Sequence, residues 1–227
     1  AEGLKEAREL CARGDYKKAD ETFRSKVLSN KSSSGSYQQG GLLDVQWQDL
    51  PPSTSFSRKL DMKDGKAQMD VHFADGALKT ELVAAPYSDC IAYRMACTLP
   101  KGCTVTLSLR HPDKKSEITP TRDGWILKGQ GHNGGTRFEN AVRVQAIDGR
   151  VSLDGGILRI DNCKELLVLS STKTDYNSRK PDSPLKNDLG TLNRNILDAA
   201  SRAGWKKLEQ ETAKYFSERM MRCQVDI

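Results

Sequence analysis

A long series of short segments in which apolar and polar residues alternate constrains the fold more than any other feature of this sequence. The segments run from residue 42 to about residue 176, and turn signals separate them. Asp64-Gly65, for example, lies between two such segments and is typical of a tight β-hairpin turn. Many short strands joined by turns at regular intervals predict an antiparallel β-sandwich. The predicted strands are residues 43–47, 56–62, 67–73, 78–84, 91–98, 104–109, 124–128, 138–147, 150–153, 157–160 and 166–170.

At the start of the chain, apolar residues recur with the spacing of a helix and do not alternate as in a strand. Residues 1–30 predict a helical hairpin, in which Gly14 ends the first helix and Asp15 caps the second. One hairpin, with no repeat of the same period after it, does not predict a helical-repeat solenoid. Residues 31–41 are rich in serine, glycine and glutamine, which predicts a loop leading into the sandwich at residues 42–186.

The helical period returns at the end of the chain, over residues 187–227. Two amphipathic stripes, separated by Gly204, predict two helices that either cover the sandwich or lead into another domain. The second stripe comprises Trp205, Leu208, Thr212, Tyr215 and Met220. The sequence therefore predicts a mainly β protein with an N-terminal helical hairpin and two C-terminal helices.

The chain is basic, but its charges are dispersed. Lysine and arginine number 36 against 30 aspartates and glutamates, which gives a net charge of +6. Nucleic-acid-binding proteins usually concentrate basic residues on one face, so we expect no nucleic-acid partner. No apolar run approaches the roughly 20 residues that a membrane span needs, so we expect no membrane partner. Residues 1–26 also lack the apolar core of a signal peptide.

The six cysteines lack the spacing of a metal site. No Cys-x-x-Cys pair occurs, and the three histidines show no zinc-ligand spacing. Most of the cysteines lie within apolar strand or helix patterns, where a free cysteine behaves as a small hydrophobic residue, so the sequence predicts buried thiols. We expect neither a metal nor a cofactor. The six cysteines are Cys11, Cys90, Cys97, Cys103, Cys163 and Cys223.

The glycine-rich loop at residues 129–135 leaves two interpretations open. Its spacing completes neither a Gly-x-Gly-x-x-Gly nor a P-loop pattern, so it does not predict phosphate binding. The loop either connects two strands as a long hairpin loop or presents His132 and Asn133 to a ligand or partner. These two residues are the candidate ligand-binding positions.

The three tryptophans have two possible locations, in the apolar core or on a sugar-binding surface. Trp47 and Trp125 lie in alternating strands, and Trp205 lies on a helical stripe, so all three are predicted to pack in the core. An exposed row of aromatic side chains would instead favour sugar binding.

Several segments, in their order and spacing, resemble one family of carbohydrate-active enzymes. Residues 37–43 resemble the segment YQPLGDL, residues 57–62 resemble Y-R-R-x-L-D-L, and residues 155–160 match GG-x-L-x-V. Together they resemble the N-terminal domain of glycoside hydrolase family 95, the α-L-fucosidases and α-L-galactosidases. Further similar segments are the helical hairpin and residues 79–94, 127–144, 166–176 and 211–227.

The resemblance implies a β-sandwich of the supersandwich kind, followed by a helical linker and a catalytic (α/α)6 barrel in the same polypeptide. The catalytic acid and the residues that position water belong to that barrel, so the resemblance assigns no catalytic residue to this chain. The family's opening strands have no counterpart before residue 1, which leads us to expect an unpaired sheet edge. The resemblance further implies a periplasmic or secreted protein.

The acidic residues of the chain agree with a non-catalytic role. A glycosidase needs two carboxyl groups that face each other across the scissile bond. The nearest pairs here, Asp61 with Asp64 and Asp154 with Asp161, fall in turns, where aspartate bonds to the backbone.

Three functional hypotheses follow. The first is a non-catalytic domain that supports the barrel, in which case the isolated chain should be inactive. The second is a free-standing carbohydrate-binding module that takes an oligosaccharide, and the third is a structural protein-interaction domain. If residues 187–227 are a linker without their barrel, the apolar stripe centred on residues 205–221 should be bare or should mediate self-association.

Overall fold

The computed structural model of the protein describes residues 2–28 and 38–222. The chain divides into two compact units. One comprises Ala1–Tyr37 and Gly131–Gly135, and the other comprises Gln38–Gln130 and Thr136–Ile227. Most of the predicted loop, residues 31–37 including Tyr37, lies outside the described residues, as does Cys223.

The first unit contains the predicted helical hairpin. Helix α1 spans Glu2–Ala12 and helix α2 spans Tyr16–Lys26. Asp15 caps α2, because its carboxylate accepts a hydrogen bond from a backbone N–H of the first turn at 3.3 Å. Ala7 and Ala19 are the buried positions of the two helices, and such small side chains allow close helix packing. Cys11 near the end of α1 is exposed, so the prediction of a buried thiol is wrong for this cysteine.

The second unit contains two antiparallel sheets. Its described strands are β1 (Leu42–Gln48), β2 (Ser55–Asp61), β3 (Lys66–Phe73), β4 (Gly76–Ala85), β5 (Cys90–Cys97), β6 (Cys103–Arg110), β7 (Glu117–Thr121), β8 (Gly124–Gln130), β9 (Arg137–Ala146), β10 (Arg150–Asp154), β11 (Ile157–Cys163) and β12 (Glu165–Thr174). The smaller sheet has the order β1-β6-β11-β10, and the larger has the order β2-β3-β4-β5-β12-β9-β8-β7. The predicted antiparallel sandwich is confirmed.

Strand β7 is the one described strand that the sequence does not predict. Its residues are mostly polar, and Pro120 lacks the N–H that a ladder bond needs. β7 lies at the edge of the larger sheet and pairs only with β8. Proline is tolerated on such an edge strand, because one side of the strand needs no donors.

The space between the two sheets is filled by the apolar positions of the alternating strands. Trp125 of β8 is 1% exposed, and its indole Nε1 donates to the Gly156 carbonyl oxygen at 2.9 Å. Trp47 of β1 is partly buried against the same core. Both tryptophans are core residues, as predicted. Other fully buried members are Leu78, Met95, Leu107, Leu127, Leu158, Ile160 and Leu166.

Helix α3 (Leu189–Met220) packs on the opposite face of the larger sheet. Gly204 interrupts it with φ 70° and ψ 169°, which divides α3 into two helical segments at the predicted position. Glycine suits this conformation, because a side chain with Cβ rarely adopts positive φ. No helix among the described residues has the length and apolar character that crossing a membrane requires.

A second apolar core lies between α3 and the larger sheet. Val83 and Leu169 from the sheet meet Leu197 and Leu208 from the helix. Because β12 is buried on both faces, its sequence is a continuous apolar run at residues 166–169 and does not alternate.

This second core corrects one expectation about the end of the chain. The stripe at residues 205–221 does not form a bare patch: Leu208 and Thr212 are 0% exposed, and Trp205 and Tyr215 are partly buried. Met220 is 38% exposed. The larger sheet is apolar on its outer face as well, so it covers the stripe apart from Met220 and Met221, which are exposed. The predicted linker role of residues 187–227 stays a prediction.

Candidate functional site

A cleft of about 500 Å³ lies between the larger sheet and α3, at the Gly204 interruption. Charged side chains line its sheet side, and the helix contributes Gly204 and Trp205. The charged lining residues are Lys66, Lys79, Glu81, Arg94, Glu165, Lys206 and Glu209.

Strand alternation and register bring the sheet charges together. Along β4, Lys79 and Glu81 share a face with Val83, which packs against α3. In the neighbouring strand, Arg94 is the direct ladder partner of Glu81. The apolar end of this face therefore anchors the helix, and its polar end forms the cleft.

Glu81 is the centre of the cleft. Its side chain is 4% exposed, yet both carboxylate oxygens have cationic partners. Oε1 accepts hydrogen bonds from Lys66 Nζ at 3.2 Å and lies 3.1 Å from Lys79 Nζ, while Oε2 accepts from Arg94 at 3.2 Å. A buried carboxylate with three such partners satisfies the rule that buried charges are paired.

The same network continues to the helix and to β12. Lys66 Nζ also donates to Glu209 Oε1 of α3 at 2.6 Å, which ties the sheet to the helix. Arg94 Nε donates to Glu165 Oε1 of β12 at 3.0 Å. Lys66 and Arg94 thus link Glu81 to two further carboxylates, those of Glu209 and Glu165.

The charged groups of the network shift one another's pKa values. Burial opposes the charged form of Glu81, but the hydrogen bonds from Lys79 and Lys66 outweigh it and hold the pKa of Glu81 below its ordinary value. The hydrogen bond to Glu209 is the largest effect on Lys66 and raises the pKa of that ammonium, with burial opposing it. Both groups are therefore charged at neutral pH.

The second helical segment of α3 has further attachments near its end. Thr212 Oγ1 lies 3.4 Å from the carbonyl oxygen of Ala84, and the Ser88 N–H donates to Glu211 at 3.0 Å. Phe216 packs directly over Gly65 of the β2–β3 turn, where a Cβ would lie 2.3 Å from the ring. Gly65 is thus required for this contact as well as for the turn.

The first helical segment is attached in a similar way. Buried Asn193 donates to the carbonyl oxygen of Glu139 at 2.9 Å, and Arg143 donates to Asp198 at 2.7 Å. Asp188 caps the helix, because its carboxylate accepts from the N–H groups of Gly190 and Thr191.

The carboxylates of the cleft are held in ion pairs and are not arranged to act as a proton donor. A glycosidase acid needs a carboxyl group whose pKa is raised, so that it is protonated near neutral pH. The pKa of Glu81 is lowered, and Glu165 and Glu209 are each bonded to a cation. The cleft is therefore suited to holding α3 against the sheet. Among the described residues, no group of three or more His, Cys, Asp or Glu side chains is arranged to hold a metal ion.

The sequence-predicted ligand residues lie elsewhere in the chain. His132 is exposed and begins a single 3-10 turn, His132–Gly134, between β8 and β9. The Gly135 N–H closes this turn by donating to the carbonyl oxygens of Gly131 and His132. The side chain of Asn133 lies outside the described part of the structure. A ligand-binding role for these two residues stays a prediction.

Two of the aspartates considered for acid–base chemistry, Asp61 and Asp161, have local partners. Asp61 accepts from the Asp64 N–H at 3.2 Å, and its hydrogen bond from Lys59 lowers its pKa. Asp161 accepts from Arg159 at 2.8 Å. The Asp61 contact is that of a turn. Asp161 does not fall in a turn as predicted, because it lies within β11, where it forms a partly exposed ion pair.

The cleft residues are not among those that the sequence predicts to be functional. A usable signal does exist: Lys79 and Glu81 occupy inward-facing positions of a strand whose next two such positions are Val83 and Ala85. A charge at an inward-facing strand position indicates a buried ion pair. The partners on β3, β5 and α3 are set by tertiary contacts, which no local pattern reveals.

Comparisons with known proteins agree with the sandwich. A solved structure described as a putative kojibiose phosphorylase from the human microbiome matches with a TM-score of 0.51 and 11% identity. The match covers 77% of this chain and 27% of that chain, so the likeness concerns the fold. No curated protein matches the chain. The family model for the N-terminal domain of glycosyl hydrolase family 65 matches residues 1–179. These matches support family 65 and do not support family 95 specifically; the chain belongs to the glycosyl hydrolase family 65 N-terminal domain family.

Proposed function

We propose that this chain is a non-catalytic domain of a larger glycoside hydrolase and that it supports an (α/α)6 catalytic barrel in the same polypeptide. The observation that carries the proposal is the match of residues 1–179 to a family of N-terminal domains. The chain also spans only 27% of the phosphorylase that it resembles in fold.

The ion-paired cleft supports the same role. Glu81, Lys66 and Glu209 join β4, β3 and α3 in one network, so the helix has a fixed position on the sheet. A fixed helix gives an adjoining domain a defined surface to pack on.

Activity assays on the isolated chain and on its native polypeptide test this proposal. The isolated chain should release no product from aryl glycosides, whereas the native polypeptide should turn over at least one glycoside. Turnover by residues 1–227 alone that is lost in Glu81→Gln would overturn the proposal, because it would place the catalytic acid in this domain.

We further propose α-L-fucosidase-type specificity, which rests on the resemblance of residues 37–43, 57–62 and 155–160 to family 95. The fold likeness to a putative kojibiose phosphorylase makes phosphorolysis the competing outcome. Aryl α-L-fucoside, aryl α-L-galactoside and kojibiose with inorganic phosphate are the substrates to compare. Phosphate-dependent cleavage of kojibiose with no fucoside hydrolysis would reject the fucosidase proposal.

Oligosaccharide binding is a second candidate function, because the cleft combines Trp205 with half-exposed Lys79 and Glu165. Aromatic rings and charged hydrogen-bonding groups are the side chains that bind sugars. Calorimetric titration with a panel of oligosaccharides should then show binding that Trp205→Ala abolishes. Equal heats for the two proteins would reject this candidate.

A periplasmic or secreted location and self-association through the C-terminal helices are also proposals. The exposed apolar residues at the end of α3, Met220 and Met221, are the surface for self-association. Sedimentation of the chain with and without Met221→Lys, and fractionation of the source cells, test the two proposals separately.

A further inference from the structure

On strand β4 of the larger sheet, the face that points to the smaller sheet passes from buried to exposed. Leu78 on this face belongs to the core between the sheets and is 1% exposed. Thr80 and Leu82 follow on the same face, because alternate residues of a strand share a face. Thr80 is 7% exposed, whereas Leu82 is 43% exposed. The cover that the smaller sheet provides therefore ends between these two residues.

The neighbouring strand β5 shows the same change. Met95 and Tyr93 are the ladder partners of Thr80 and Leu82. Met95 is 0% exposed and Tyr93 is partly buried, but Ile91, the next residue on this face, is 51% exposed. The larger sheet thus extends beyond the smaller sheet, and apolar residues of its inner face are exposed there.

Leu60 of the edge strand β2 adds to this exposed surface. It lies on the same face as Leu82, because its ladder partner Ala67 pairs in turn with Leu82. Leu60 is 68% exposed. We call Leu60, Leu82 and Ile91 the uncovered patch. Grouped apolar residues that continue a packed core onto the surface indicate an interaction site.

Strand β1 of the smaller sheet forms the boundary of the covered region. Its Trp47 packs in the core between the sheets and interacts with Tyr93. Among the described strands, β1 pairs only with β6, so it is an edge of the smaller sheet. An edge strand presents a row of backbone N–H and C=O groups that another strand can pair with. Such a strand, paired with β1, lies over the uncovered patch.

The edges of the two sheets differ in how well they are protected against pairing. Proline and positively charged side chains discourage the addition of a strand. β7 contains Pro120, β2 contains Arg58 and Lys59, and β10 begins with Arg150. β1, Leu42–Gln48, contains neither proline nor a positive charge. It is therefore the edge best suited to accept another strand.

A second copy of the chain does not fit this position. If two β1 strands paired antiparallel about a two-fold axis, their smaller sheets would form one continuous sheet. Both larger sheets would then lie on the same side of it. Because each larger sheet extends past β1, the two would occupy the same space. The occupant of the edge is therefore a strand without a larger sheet beside it.

We propose that a strand from the native polypeptide, outside residues 1–227, pairs with β1 and covers the uncovered patch. The proposal rests on the larger polypeptide of the proposed function, which supplies this strand. Backbone hydrogen bonds to β1 hold the strand, and its apolar side chains, at every second position, pack on Leu82 and Ile91. The seven residues of β1 set the length of the pairing.

Hydrogen exchange of residues 1–227 alone and of the native polypeptide tests the proposal. Peptides that cover residues 42–48 should exchange at least about tenfold more slowly in the native polypeptide, because the free edge of β1 is hydrogen-bonded there. Peptides from β6, a central strand of the smaller sheet, should be protected in both proteins.

Two matched variants link the edge to the patch. In the native polypeptide, Ile91→Lys places a charge in the uncovered patch and should speed the exchange of residues 42–48. Ile157→Lys is the control, because Ile157 is 49% exposed but lies on the outer face of the smaller sheet, next to buried Leu158. It should leave that exchange unchanged. In residues 1–227 alone, both variants should unfold within roughly 2 °C of the wild type, since exposed substitutions change stability little.

Three results would overturn the proposal. The first is equally rapid exchange of residues 42–48 in both proteins, and the second is protection that Ile91→Lys leaves intact. The third is protection in residues 1–227 alone that rises with protein concentration, which would assign the edge to a second copy. The activity assays decide the supporting role separately, because an inactive native polypeptide would reject that role even with β1 protected.

Discussion

The two faces of the larger sheet are covered in different ways. The face toward the smaller sheet is largely apolar and ends at Cys97 of β5, which is buried. The face toward α3 has an apolar centre around Leu208 but a charged margin around Glu81. The first interface should therefore depend mainly on apolar packing, whereas the second should also respond to pH and salt.

The largest expected effect tests the packing of the sandwich face. Trp125→Ala should lower the free energy of unfolding by about 3–5 kcal/mol, because it opens a cavity and removes the donor to Gly156. Urea unfolding measures the loss. Trp205→Ala, at the half-buried margin of the helix face, is the matched control and should cost clearly less. Equal losses would show that the two faces do not differ in packing.

The next effect tests the apolar centre of the helix face. Leu208→Ala should lower the free energy of unfolding by about 2–4 kcal/mol, since its side chain is 0% exposed. Hydrogen exchange should show that the amides of the second α3 segment lose more protection than those of β6. The control is Leu153→Ala on β10, which is 42% exposed and should change little. Uniform loss of protection would mean that α3 and the sandwich unfold as one unit.

A smaller effect tests the charged margin. Glu81→Gln should lower the free energy of unfolding at pH 7 by about 1–2 kcal/mol, because Lys66, Lys79 and Arg94 lose their common partner. Wild-type stability in Glu81→Gln would show that the network does not hold the helix.

The pH dependence of stability follows from two pKa shifts of opposite sign, in Glu81 and in Lys66. The pKa of Glu81 is lowered on folding, so its contribution is present above the unfolded value of about 4.3 and is lost as pH falls through the folded value. The pKa of Lys66 is raised, so its contribution is present below about 10.4 and is lost as pH rises through the folded value. Glu81→Gln should flatten the acid limb of the stability profile, measured by thermal unfolding between pH 3 and 7. An unchanged acid limb would contradict this assignment.

The smallest expected effect concerns a half-exposed ion pair between α3 and the sheet. Asp198→Asn removes one of the two carboxylate partners of Arg143, the other being Asp123, and Asp198 is 41% exposed. Its loss should cost about 0.5 kcal/mol or less, and added salt should reduce the difference further. Chemical unfolding at low and at high salt measures it. A loss as large as that of Glu81→Gln would mean that burial does not set the strength of these pairs.

Local patterns determined much of the fold. Alternation and turn signals located the strands of both sheets except β7, whose polar residues and Pro120 are typical of a loop. Gly14, Asp15 and Gly204 marked helix ends because each acts through its own backbone or a neighbouring one. The sequence also predicts the apolar helix stripe around Leu208. It does not predict the surface that packs on this stripe, because the apolar outer face of the larger sheet is assembled from several strands.

The sequence by itself determined the sandwich, the hairpin, the broken C-terminal helix and the burial of Trp47 and Trp125. These depend on periods of two and 3.6 residues, which neighbouring residues alone define. Only the tertiary structure decided that Glu81 meets Lys66, Arg94 and, through Lys66, Glu209. It also decided that Cys103 of β6 pairs with Cys163 of β11. Those contacts join β3, β4, β5, β6, β11 and α3, so they depend on strand order and layer packing, which a local pattern does not encode.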